Sequence, residues 1–144
     1  MVELDKIEKL FDSLDGAIAK LKILQRLSHR EFLVDFTKYE SAKHLFQVSI
    51  QNCLDICYHI IASEGWRAPR SSADAFAVLN EREIIPDDFL PVAQQMVKFR
   101  NRLVHLYWEV DEEQVYDILQ TRLDDFDRFE SYIRKLISNE EEEV

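Results

Sequence analysis

Apolar residues recur at intervals of three and four along nearly the whole chain. Leu4, Ile7, Leu10, Leu14, Ile18, Leu21 and Leu24 fall on one face of a helix, predicted over residues 4–27. Ser28, His29 and Arg30 interrupt that series and read as a connection. A second long helix is predicted over residues 31–63, on Phe36, Tyr39, Leu45 or Phe46, Ile50, Cys53, Cys57 and Ile60, with Gly65 as its stop. Leu54, Ile56 and Ile61 widen its apolar stripe over most of the circumference. Such a helix needs partners on more than one side. In a small bundle one of those partners is often a second copy of the chain, so a homodimer is expected.

Residues 65–71, GWRAPRS, read as a loop, after which Ser71 or Ser72 caps a short helix carrying Phe76, Val78 and Leu79. Pro86, Asp87 and Asp88 open a fourth helix that runs through Met96 towards His105. Asp111, with Gln114 three residues on, caps a last helix that carries Val115, Ile118, Leu119, Phe126, Phe129, Ile133 and Leu136 to about residue 138. The expectation is an all-α, single-domain bundle of about five helices over residues 1–139, followed by a solvated acidic tail at 140–144.

Composition supports this picture and narrows it. Two glycines and three prolines in 144 residues are too few for a many-turned β sandwich or barrel. No apolar run approaches the roughly 18–20 residues that span a bilayer. The N-terminal MVELDKIEKLFDSLD is charged throughout, so a cytoplasmic protein with no membrane attachment is expected. Cys53 and Cys57, one helical turn apart, read as reduced core residues, since neighbouring turns of one helix hold thiols poorly for a disulfide. The net charge is −10, which excludes a generic nucleic-acid binder. A phosphate ligand must then meet a local basic patch, and two segments offer one: residues 66–70, WRAPR, and 98–102, KFRNR.

The second of these belongs to the most chemically loaded stretch of the chain, RNRLVHLY at residues 100–107. An arginine keeps its charge at any accessible pH, and a histidine exchanges a proton near neutrality. The two together suit phosphodiester chemistry without a metal, histidine moving the proton and arginine holding the phosphate charge. Helical geometry complicates this, because five residues separate Arg100 from His105 by about 140° on a straight helix. Lys98, Asn101, Arg102 and His105 share one stripe; Arg100, Val104 and Tyr107 share another. For Arg100 and His105 to meet one phosphate, the helix must end or deform nearby, or a second copy must complete the site. The competing reading is a polar helix end whose Arg and His face the negative end of the dipole, with Tyr107 and Trp108 as packing aromatics. His29, His44 and His59 lack comparable polar company.

The ordered set Arg100, Asn101, His105 and Tyr107 resembles the signature of the HEPN superfamily, an arginine and a polar residue followed by a histidine four to six positions after the arginine. The His105-Leu106-Tyr107 extension is similar to that of the HepT-like toxins encoded beside a minimal nucleotidyltransferase. HLFQVSIQNCLDICYHII, RAPRSSADAF, MVKFRNRLVHLYWEVD and LDDFDRF agree with that family across most of the chain. The resemblance implies a homodimeric helical bundle with its site between subunits, acting as a metal-independent endoribonuclease that needs no cofactor. It implies a type VII toxin–antitoxin role. Arg100 and His105 would be catalytic, Asn101 would position the histidine or the RNA, and Lys98 and Arg102 would guide the RNA backbone. Arg67 and Arg70 are weaker candidates for that guidance. Tyr107 matches the tyrosine that the partner nucleotidyltransferase, using ATP and magnesium, modifies with AMP. The rival within the same superfamily is a non-catalytic binding module that presents substrate or nucleotide to the nucleotidyltransferase.

Overall fold

The computed structural model describes residues 2–142. Its helices are α1 (Leu4–Gln25), α2 (His29–Val34), α3 (Phe36–Glu64), α4 (Ser72–Glu81), α5 (Leu90–His105), α6 (Glu112–Thr121) and α7 (Asp124–Glu142), with a 3-10 turn at Tyr107–Glu109 before α6. The all-α expectation holds, but the described residues form seven α-helices where about five were expected.

Capping chemistry accounts for the difference. Ser28 is not a linker residue; its Oγ accepts from the Glu31 amide while the Glu31 carboxylate accepts from the Ser28 amide, a reciprocal capping box that starts α2. Asp35 then accepts from the Thr37 amide at 2.9 Å and starts α3. The predicted last helix is broken at Arg122 and Leu123. Asp124, Asp125 and Asp127 crowd the first turn of α7, where the positive end of a helix dipole favours them. The fourth helix begins four residues later than expected, because Pro86 to Phe89 form a turn closed by the Phe89 amide on the Pro86 carbonyl. Gly65 does stop α3, in a left-handed conformation at φ 68°.

α3 is the axis of the bundle, in contact with α1, α2, α4, α5 and α6. The hydrogen bonds from Asn52 Nδ2 to Ser13 Oγ and from the Glu3 amide to His59 Nε2 set α1 antiparallel to it. The buried face of α1 is Ile7, Phe11, Leu14, Ile18 and Leu21, while the expected Leu4 is exposed. Phe36, expected in the core series, is also exposed at the start of α3. α7 closes the bundle, its Phe126 and Phe129 rings meeting Phe46 of α3 and Phe76 of α4. Cys53 and Cys57 are free, fully buried thiols, and burial pushes their pKa values up. Of the acidic tail, Glu140 to Glu142 continue α7, and residues 143 and 144 lie outside the described residues. Among the described residues no helix is long and apolar enough to cross a membrane.

Candidate active site

The site is built where α5 ends against the middle of α3. Ala93, Met96, Val97, Phe99 and Leu103 bury one face of α5, and Phe99 meets Phe46 of α3 edge to face. That anchoring leaves Arg100 half-buried beside α3. Arg100 Nη2 donates to Gln51 Oε1 at 2.6 Å, and Nη1 donates to Asn101 Oδ1 at 2.7 Å. Both acceptors are neutral amide oxygens, so the guanidinium is held without being neutralised. Its Nε is buried and has no hydrogen-bond partner.

His105 is the last residue of α5 and is exposed. The helix therefore ends at the residue where the spacing argument needed an end. Leu106 leaves helical geometry at φ −133° and ψ 42°, and its amide closes on the Arg102 carbonyl at 2.8 Å. The structure does not join Asn101 to His105; the Asn101 side chain supports Arg100 instead. His105 makes no side-chain hydrogen bond with another described residue.

The next turn sets Tyr107. Arg102 Nη2 donates to the Glu109 carbonyl at 3.2 Å and to Gln114 Oε1 at 3.1 Å, so this arginine fastens the 3-10 turn to the start of α6. Tyr107 is partly exposed, and the Lys43 ammonium lies 4.4 Å from its ring centroid. Lys43 is itself buried on α3, with the Tyr39 ring at 5.9 Å and Glu40 at 3.9 Å. Val104, Leu106, Tyr107 and Trp108 form an exposed apolar run beside the histidine. Lys98 is exposed on the same helix.

The other basic segment is occupied by its own acids. Arg67 bonds both oxygens of Asp74 and both of Glu81, the closest contact to each being 2.7 Å, and the Arg70 amide donates to Asp74. These bonds raise the Arg67 pKa and hold both carboxyls below their ordinary values. The segment braces the loop before α4, and Arg67 is withdrawn from phosphate binding. Two of the other histidines have structural partners. His29 pairs with Glu113 at 2.7 Å, and His59 accepts from the Glu3 amide with its pKa lowered by burial and by Lys6. A 580 Å³ cleft between the α4–α5 connection and α7 is lined by other residues, among them Glu83, Asp87 and Lys135. No cluster of three or more His, Cys, Asp or Glu suited to a metal occurs among the described residues.

Two residues near the signature went unread in the sequence. Gln51 and Lys43 both lie on α3, forty-nine and sixty-four residues before their partners Arg100 and Tyr107. Lys43 did carry a signal, a charge three residues before Phe46 and thus in phase with the buried stripe. Gln51 carried only a weak one, four residues before an acid it could bond.

Known proteins resemble this chain in sequence and fold. Residues 14–133 match the family model described as ribonuclease HepT-like. The chain is 32% identical over 104 residues to an mRNA nuclease HepT of Shewanella oneidensis, covering 72% of this chain and 78% of that one. It is 24% identical over 137 residues to a tRNA nuclease HepT of Aphanizomenon flos-aquae, covering 95% and 93%. The solved structure of a tri-AMPylated Shewanella oneidensis HEPN toxin in complex with an MNT antitoxin superposes with a TM-score of 0.82 at 27% identity, covering 90% of this chain and 96% of that one. The fold and these matches agree, and the chain belongs to the HepT-like ribonuclease family.

Proposed function

We propose that this ribonuclease is the toxin of a type VII toxin–antitoxin pair, a cytoplasmic, metal-independent endoribonuclease working as a homodimer. The observation that carries the reading is the Arg100 guanidinium, fixed by two uncharged acceptors with its charge intact, on the same helix α5 that ends in the exposed His105. His105 assists attack of a ribose 2′-hydroxyl on the adjacent phosphate, or protonates the leaving 5′-oxygen. Arg100 stabilises the charge that builds on the non-bridging oxygens. The need for a 2′-hydroxyl makes RNA the substrate. Asn101 acts by holding Arg100, and Lys98 guides the backbone; Arg102 adds positive charge while securing the turn. The exposed apolar run beside His105 supports a dimer that completes the site.

Tyr107 is the residue switched off by the partner. Its phenolic oxygen attacks the α-phosphorus of ATP held by a minimal nucleotidyltransferase, an O–P bond forms, pyrophosphate leaves, and the phenolic proton passes to a base of that partner. The added phosphates then repel RNA beside Arg100. The AMP-modified, antitoxin-bound Shewanella structure supports this reading. Expression in a bacterial host tests the nuclease: the wild type should slow growth and degrade RNA, and His105→Ala should lose about 100-fold in cleavage. Equal growth and equal RNA integrity for the two would remove the proposal. Incubation with the partner, ATP and magnesium should add AMP mass to the wild type and none to Tyr107→Phe.

A further inference from the structure

We infer that Gln51 is a positioning residue for cleavage: its amide fixes the Arg100 guanidinium while leaving its charge available, and Asp55 sets which end of that amide faces Arg100. The inference rests on Arg100 being the phosphate-binding group. Gln51 Nε2 donates to Asp55 Oδ1 at 2.8 Å, one helical turn on. An ionised carboxylate only accepts, so it takes the NH2 end and leaves the oxygen for Arg100 Nη2 at 2.6 Å. The order Asp55, Gln51, Arg100, Asn101 thus reads as one chain of hydrogen bonds across α3 and α5.

Residue type matters here more than contact. A glutamate in place of Gln51 would reach as far and bind the guanidinium more tightly, but as an ion pair it would cancel the charge a phosphate must meet. Donor arithmetic gives the approach. A guanidinium has five N–H groups. One on each Nη is engaged by an amide oxygen, and the buried Nε is closed to substrate. The two that remain, one on each Nη, match in number two oxygens of a phosphate.

The test compares kcat, KM and Tm for the full chain acting on RNA, as wild type, Q51E, D55N and R100A. Q51E should lower kcat by about tenfold or more with a smaller change in KM, because charge in the transition state exceeds that in the ground state. Its Tm should equal or exceed that of the wild type. D55N, which leaves the amide oriented by Arg100 alone, should lower kcat by roughly threefold. A merely structural glutamine predicts the reverse pattern, with activity kept by the equally long Q51E. Q51E within twofold of wild-type kcat, while R100A is inactive, would overturn the inference. If Q51E fails to fold, D55N decides alone, and wild-type kcat in D55N overturns it. An R100A protein that still cleaves normally would instead remove the underlying assignment of Arg100.

Discussion

Arg67 and Arg100 are each gripped by two side-chain acceptors, yet they are left in opposite electrical states. Arg67 faces the carboxylates of Asp74 and Glu81, and its charge is cancelled in a surface brace that holds a loop against α4. Arg100 faces the amides of Gln51 and Asn101 and keeps its charge, half-buried, on the helix that ends in an exposed histidine. Positive charge in the sequence is therefore a poor guide to a phosphate site. The chemistry of the acceptors around an arginine separates a structural residue from a candidate catalytic one.

Deleting each arginine sharpens the contrast most. Arg100→Ala should cut RNA cleavage by about 100-fold or more. Arg67→Ala should leave cleavage within about twofold and show itself as a lower Tm. Comparable losses of cleavage in the two variants would break the comparison.

Glu130 shows what burial does when a carboxylate has both an acid and a base nearby. Burial and hydrogen bonding to Asp15 push its pKa up to about 7, outweighing Arg134 at 3.2 Å. A raised carboxyl pKa means that the folded state holds the proton more tightly than the unfolded one. That stabilisation is full below the ordinary value of 4.5 and is lost as pH rises to about 7. Glu130→Gln should thus stabilise the protein at pH 8 by roughly 1–2 kcal/mol, with the gain vanishing near pH 5, in chemical denaturation. A pH-independent effect would mean that Arg134 alone governs this carboxylate.

The smallest effect belongs to the Arg67 brace. Asp74 is depressed below its ordinary 3.8, first by the Arg67 hydrogen bonds and then by the Arg70 amide. Its contribution is present above pH 3.8 and fades as pH falls through the lowered value. Asp74→Asn should lower Tm slightly at neutral pH, and the two Tm curves should converge in acid. Curves that stay parallel into acid would show that the brace is not electrostatic.

The helical class was legible because a core face imposes a spacing of three and four, as on Ile7, Leu14, Ile18 and Leu21. The breaks at Asp35 and Arg122 were less so. Their local signals, an acid before Thr37 and three acids after Leu123, compete with an unbroken apolar series that reads as one helix. The site divided in the same way. Arg100, Asn101, His105 and Tyr107 stand together in eight residues and are visible as a motif, while Gln51 and Lys43 become neighbours only when α3 packs beside α5 and its following turn.

By itself, then, the sequence determined an acidic all-α chain and a compact arginine–histidine–tyrosine motif, because both are written at short range. Tertiary structure decided which basic segment keeps its charge, where α5 begins, and which side chains hold the motif in place. Hydrogen-bond partners half a chain apart leave no periodic trace, and whether an arginine meets an amide or a carboxylate depends on packing that short-range spacing does not encode.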